Sequence, residues 1–385
     1  MDMRNTPAFG RADLSNCERE QIHLAGSIQP HGALLVVSEP DLVIIQFSKN
    51  APDLLQAKTL AGRSLESLGG DIGARVRQLL DHALRTIPVS FRCRVGKVHF
   101  DGQLHRPADG GLVIELEPAG GSVDIAPKLE AALRSIVSSP SVPALCEEAA
   151  AFFKDITGYD RVMVYRFDEM GHGEILSEER KAELEPYLGN RYPASDIPQI
   201  ARRLYEKNRV RVLVDVAYQP CPLQPRLSPL PGADLDMSLC FLRSASPIHV
   251  QYLQNMGVRA TLVASIILHG ALWGLIACHH DEPKSPGEAS QHFLEHSAEV
   301  LAEQVDLIES RELRRAQKEA DVLGRQIHRT LAVVRGWRTA LQTHAAQALA
   351  LMQADGMLLL EPKSFQGYGK VPPPEHLEPV IDWLR

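Results

Sequence analysis

Residues 260–278 read ATLVASIILHGALWGLIAC, 19 positions without a formal charge. A stretch of that length raises a membrane helix. His269-Gly270-Ala271 interrupts it, however, with short apolar runs on either side at 262–268 and 272–277, and two buried strands joined by a tight turn fit better than a span. A sheet here makes the surrounding region α+β.

Downstream, the apolar series Ala298, Leu301, Val305, Ile308, then Leu313, Ala316, Ala320, Leu323 and Ile327 steps mostly by three or four residues with no proline, predicting one long amphipathic helix from about residue 290. Its flanks, 309–319 especially, are dense in mixed charge. A solvated spine carrying a helical dimer seam and a helix packed on its own domain both fit this pattern.

Upstream, a strand is expected near 161–167, and before it a helical segment with apolar positions Leu129, Leu133 and Ile136, reached through a Gly/Ser/Pro-containing link at 118–127. Between 32 and 118, apolar runs at 33–37, 42–47 (after Glu39-Pro40-Asp41) and 112–116 (after Ala108-Asp109-Gly110-Gly111) are separated by turn signals, with one helical stretch near 72–84. The pattern predicts a small antiparallel sheet with flanking helices.

The 385 residues suffice for two or three domains, and 44% apolar with 23% charged residues is an ordinary globular composition. A net charge of −7 argues against nucleic acid as a partner. Cys17, Cys93, Cys146, Cys221, Cys240 and Cys278 have no paired spacing, and the N-terminus lacks the apolar core of a signal peptide, so a reducing cytoplasm is the expected compartment.

Several further motifs occur in order along the chain. They are Cys17; Gly26-Ser27-Ile28-Gln29-Pro30-His31-Gly32; Arg191-Tyr192-Pro193-Ala194-Ser195-Asp196-Ile197-Pro198; Leu242-Arg243-Ser244-Ala245-Ser246-Pro247-Ile248-His249; and Leu272-Trp273-Gly274-Leu275-Ile276-Ala277-Cys278-His279-His280. Together they resemble a bacteriophytochrome, from about residue 10 to 385. The resemblance implies an α+β fold with an N-terminal tail and PAS domain at 1–120 and a GAF domain at 121–300. Each would be an antiparallel sheet with flanking helices, the two knotted where the tail near Ile28 threads a GAF loop. A long connecting helix and the start of a truncated PHY domain would follow at 301–385.

The function it implies is a red/far-red photoreceptor that binds biliverdin covalently and converts its photoisomerisation into a conformational signal. Thioether formation needs a flexible, accessible thiol, and Cys17 in a polar tail qualifies. In plant-like relatives the linking cysteine would stand where this chain has Ile248, which favours biliverdin over more reduced bilins. Arg211 and Arg243 would take the two propionates, planar anions suited to the guanidinium fork, with Ser246, His249 and Thr261 as further hydrogen-bonding partners. Val263 replaces a hydroxyl found in some relatives. The Asp196 backbone carbonyl would accept from a pyrrole N–H, with His249 close by and the Asp196 carboxylate exchanging partners, Arg243 included, upon isomerisation. Tyr165, Tyr192 and Tyr252 would surround the isomerising ring and His279 would bond its carbonyl, with Ile197, Pro198 and Tyr205 completing the set.

A homodimer through the long helix is implied, as is a downstream kinase module, response regulator or transcriptional regulator, with neither nucleic acid nor membrane involved. Trp337-Arg338-Thr339-Ala340-Leu341 begins the third domain, and Arg385 precedes the Pro-Arg-x-Ser-Phe arm that seals such pockets, which implies impaired reversible switching and stronger fluorescence. Without a phospho-accepting helix or Gly-rich ATP site, the chain is not expected to be a histidine kinase or other enzyme.

Three rivals differ in chemistry. Cys278, His279 and His280 with His292 and His296 offer metal-ligand types but no closed set, so no metal is expected. A GAF-type sensor of another small ligand, such as a cyclic nucleotide, leaves Cys17 and the arginines unexplained. A cysteine hydrolase using Cys17 or Cys278 lacks a nucleophile-base-orienter arrangement.

Overall fold

The computed structural model describes the chain apart from residues 1–5, 14, 109, 121–133, 231, 287, 335, 362–363, 374, 378 and 380–385. It divides into two units, Met1–Val305 and Asp306–Arg385.

The first unit holds two antiparallel sheets. In the first sheet, β2 (Ala33–Ser38), β3 (Val43–Ser48), β4 (Val89–Val95), β5 (Val98–His105) and β6 (Leu112–Pro118) run in the order β3-β2-β6-β5-β4. Alternate residues such as Leu35, Val37, Ile44, Phe100, Leu104 and Ile114 enter one apolar core with Ile72 and Val76 of α2 (Ile72–Leu79) and Ala51 of α1 (Ala51–Leu54). The helix expected over 72–84 stops at Leu79. Leu84 does reach the core, but from a turn in which its N–H donates to His82 O. Apolar spacing had reported burial, not the backbone path.

The outer edge of β3 is covered by strands from elsewhere in the chain. β11 (Cys221–Gln224) pairs with it antiparallel, Leu223 opposite Ser48, and β1 (Ser27–Ile28) pairs with β11. Gly26–Gln29 is held on both sides by the long connection that contains β11. Leu223 N donates to Gly26 O on the outgoing limb, while Gln29 N donates to Leu242 O and Ser244 N to Ser27 O on the returning limb. The tail thus threads a loop of the second domain, with Ile28 fully buried. Gly32 follows because a Cβ there would lie 2.6 Å from Leu242 and 2.8 Å from the Leu116 carbonyl.

The second sheet has the order β10-β12-β13-β7-β8-β9, from β7 (Arg161–Phe167), β8 (Gly173–Arg180), β9 (Arg191–Tyr192), β10 (Val210–Leu213), β12 (Ala260–Leu268) and β13 (Ala271–His280). The charge-free stretch is a hairpin, as expected. Its loop, His269-Gly270, has φ of 51° and 80°, the left-handed backbone that a two-residue connection requires. Against β7 and β8 packs α3 (Val142–Thr157), started by Ser141, whose hydroxyl accepts from Ala144 N, and ended by Gly158 at φ 61°. The positions Leu129 and Leu133 lie outside the described residues, whereas 134–138 is helical and buries Ile136. Two further helices, α4 (Gln199–Lys207) and α5 (Pro247–Asn255), complete this domain.

The long helix exists as α6 (Glu288–Val333), burying Leu294, Ala298, Leu301, Val305 and Ile308 at three- and four-residue steps. The second unit continues with α7 (Trp337–Leu351) and a hairpin of β14 (Gly356–Glu361) and β15 (Ser364–Gly369). Among the described residues no helix is long and apolar enough to cross a membrane.

Candidate ligand-binding site

One face of the second sheet, roofed by α4 and α5, lines a cavity of about 380 Å³, within the size range of small-molecule and cofactor sites. Its walls follow local periodicity. Strands contribute every second residue: Met163 and Tyr165 from β7, Arg211 and Leu213 from β10, Thr261 and Val263 from β12, Leu275, Ala277 and His279 from β13. Helices contribute residues three or four apart: Ile200, Ala201, Leu204 and Tyr205 from α4; Ile248, His249, Tyr252, Leu253 and Met256 around α5. Every residue that the resemblance assigns to the tetrapyrrole lies on this wall, including Cys17, Tyr192, Asp196, Ile197, Pro198, Arg243 and Ser246.

Arg211 and Arg243 form a cationic stretch of wall. The Arg211 guanidinium donates to Phe241 O at 2.6 Å and to Arg243 O, which ties it to the loop that carries the second arginine. Arg243 donates to Ile22 O at 2.8 Å, but its Nε is buried with no partner. Among the described residues no carboxylate lies within 4 Å of either guanidinium. Burial and the neighbouring Arg211 charge pull Arg243 down to about 9, and burial lowers Arg211 as well. One buried and one half-buried cation with no carboxylate in ion-pair contact, the buried one with an orphaned N–H, suit a dianionic ligand. A tetrapyrrole with two propionates fits these residues.

The other stretch is aromatic and uncharged apart from Asp196. Tyr165 and Tyr192 have ring centroids 6.0 Å apart, and His249 stacks near Tyr252 at 6.3 Å. Tyr165 packs against Gly173, where a Cβ would fall 1.6 Å from its ring. Burial, then the Asp196 charge, push the Tyr165 hydroxyl up to about 12, and burial raises Asp196. The loop bearing Asp196 is held by Arg202, a residue absent from the sequence expectations. Its guanidinium donates to Ile197 O at 2.8 Å, Ala194 O at 3.1 Å and Gly171 O at 2.5 Å, and it sits over the Phe167 ring.

Cys17 lies in a 3₁₀ turn, Cys17–Arg19, and is half-buried on the cavity wall. Glu20, also unforeseen, anchors this tail: its buried carboxylate accepts from Gly10 N at 2.7 Å and from the Ser246 hydroxyl at 2.6 Å. Burial raises the thiols of Cys146, Cys221, Cys240 and Cys278, away from thiolate chemistry at neutral pH.

His249 and His279 present their rings to the cavity, and burial lowers both imidazoles to about 4. Each is a neutral hydrogen-bonding group at physiological pH. The metal rival loses its set: His279 faces the cavity, while alternation along β13 sends Cys278 and His280 to the other face, and the side chain of His292 lies outside the described residues. Among the described residues the one group close enough to share an ion is Asp160, His280 and Asp281, and there the chain's own Lys181 reaches Asp160 at 2.6 Å.

Further wall residues were within reach of the sequence: Met163 and Ala277 stand two positions, and Leu275 four, from site residues on the same strands. Glu20 and Arg202 had no such signal.

A family model described as PAS fold matches residues 17–119, and a GAF domain model matches 141–308. The chain is 39% identical over 318 residues to a bacteriophytochrome of Xanthomonas campestris pv. campestris, covering 77% of this chain and 48% of that protein. It is 35% identical over 359 residues to one of Pseudomonas aeruginosa, covering 90% and 48%. The chain thus spans about half the length of these relatives. Among solved structures, the Stigmatella aurantiaca phytochrome photosensory core module superimposes with a TM-score of 0.81 at 33% identity, covering 97% of this chain and 76% of that one. A bacteriophytochrome from R. palustris gives 0.80 at 32%, covering 93% and 74%. With both domain models matched in order and the superposition carrying through the threaded tail, the chain belongs to the bacteriophytochrome family.

Proposed function

We propose that this chain is the sensory part of a red/far-red photoreceptor and that its cavity holds biliverdin as a thioether to Cys17. The observation that carries the reading is one wall bearing both an accessible thiol and two guanidiniums, that of Arg243 buried and that of Arg211 half-buried, with no carboxylate in ion-pair contact. Attachment is an addition: the Cys17 sulfur bonds a vinyl carbon, the adjacent carbon takes up a proton, and no oxidant is needed. When bound, the tetrapyrrole supplies absorption of visible light and a double bond that isomerises.

The chain's residues do the rest. Arg211 and Arg243 bind the two propionates, assisted by Ser246, His249 and Thr261. The Asp196 carbonyl and neutral His249 accept from pyrrole N–H groups, whose burial without partners would cost about 1–3 kcal/mol each. Tyr165, Tyr192, Tyr252 and His279 surround the moving ring, while Ile197, Pro198 and Tyr205 exclude water. The signal passes through α6, whose exposed Leu313 and Leu331, about five turns apart on one face, suit a homodimer seam, toward a kinase module, response regulator or transcriptional regulator. The domain division 1–120, 121–300 and 301–385 belongs to the same proposal, as does the absence of enzymatic activity in this chain. The cyclic-nucleotide reading gives Cys17 no role.

The test is purification with biliverdin, absorption spectroscopy, and denaturing electrophoresis with zinc-induced fluorescence, alongside Cys17→Ser. A red-absorbing adduct that survives denaturation only when Cys17 is present is the expected result. Absence of pigment uptake by both proteins would overturn the reading.

A further inference from the structure

Glu115 is a carboxylate in a central strand, β6, flanked by β2 and β5 and only 3% exposed. Ile114 and Leu116 enter the apolar core of the first sheet, so alternation turns Glu115 to the opposite face, toward the threaded loop. There Oε2 accepts from Phe241 N at 2.8 Å and Oε1 from Leu242 N at 2.7 Å. The same short peptide is gripped from two other directions: Phe241 O and Arg243 O accept from Arg211, and Leu242 O accepts from Gln29 N. These backbone bonds flanking Arg243 are all made within two residues of the Glu115 clamp.

We infer that Glu115 is a positioning residue for the anion site: a carboxylate of the first domain that holds the 241–243 backbone so that Arg243 and Arg211 meet the ligand's carboxylates in the second. The inference rests on the tetrapyrrole reading above. The two adjacent N–H groups here each have their own oxygen, and an ionised carboxylate alone among side chains offers two acceptor oxygens with no donor beside them. Burial pushes the Glu115 carboxyl up to about 7, against the opposing pull of the two amides and of Arg211. Glutamine would keep the shape and set its NH₂ against one of the backbone donors.

The test uses the full chain in a Cys17→Ser background, so that binding is reversible, and compares absorbance titrations with biliverdin diacid and its dimethyl ester. The ester fills the same cavity but offers the arginines no carboxylate. With Glu115 present, the diacid is expected to bind more tightly than the ester. In Glu115→Gln the diacid should weaken about tenfold while the ester changes less than about twofold, collapsing the preference. A purely structural role would weaken both ligands equally, and an unchanged preference for the diacid would overturn the inference while leaving the tetrapyrrole reading intact. Uptake of neither ligand by protein with Glu115 in place would defeat both. If Glu115→Gln yields no soluble protein, the same pair of titrations on Glu115→Asp, which keeps the charge and shortens the reach by one methylene, decides by the same criterion.

Discussion

The two stretches of cavity wall solve different problems. Around Arg211 and Arg243, polar contacts come from far-separated chain segments and leave cationic charge without a counter-ion. Around Tyr165, Tyr192 and Tyr252, rings meet rings, and the main hydrogen-bonding effort goes into backbone, through Arg202. The difference teaches that charge dominates one stretch of wall and packing shapes the other, so a ligand held as proposed would be anchored at the first. An anchored ligand can pivot only where its surroundings bind it weakly.

The sharpest way to break this contrast is Arg243→Ala. Loss of charge-assisted bonds worth about 1.5–3 kcal/mol each is expected to weaken biliverdin binding about 100-fold in an absorbance titration. A change below threefold would mean that the cationic stretch does not anchor.

On the aromatic side the corresponding change is Arg202→Ala, which removes the donor to the buried Gly171 carbonyl and to the half-buried carbonyls of Ala194 and Ile197. Its expected cost is about 2 kcal/mol of stability, a fall of several degrees in the melting temperature of ligand-free protein. Arg202→Lys, which cannot reach three carbonyls at once, should recover less than half.

Acid sharpens the comparison from another side. The His249 and His279 imidazoles take up a proton only near pH 4 when folded and near 6.5 when unfolded. The unfolded chain therefore binds more protons across that window, and stability present above it is lost as pH falls from 6.5 toward 4. Fully buried His105, also lowered to about 4, acts in the same direction, while Glu115, raised to about 7, opposes them between 4.5 and 7. Three histidines outweigh one carboxyl, so the melting temperature should drop between pH 6.5 and 5, and His279→Asn should flatten that slope.

The smallest effect is expected from Tyr192→Phe. The hydroxyl makes only a 3.5 Å contact with Asn190, so calorimetry should register a change within about 0.5 kcal/mol.

Much of this was legible locally. The hairpin at 260–280 followed from an uncharged stretch broken by His269-Gly270, and α6 from apolar residues at helical steps. β4 and β5 leave no continuous apolar run in the sequence, because Arg92, Arg94 and Asp101 alternate with the core residues on the face turned away from the core. The helix near 72–84 was drawn too long because Leu84 is buried without being helical. The wall residues came from motif resemblance, and their neighbours two positions away on each strand could have been added by alternation alone.

By itself the sequence determined which segments are strands and helices where apolar spacing is strong, and which motifs stand together in this family. Tertiary structure alone decided that Glu115 meets Phe241 and Leu242, that Glu20 meets Ser246, and that the buried Arg243 Nε faces no partner. Burial of apolar surface is written in short-range periodicity. The partners of buried polar groups are set by which distant segments the threaded tail brings together, 126 residues apart for Glu115 with Phe241 and 226 for Glu20 with Ser246, and no local pattern encodes such a pairing.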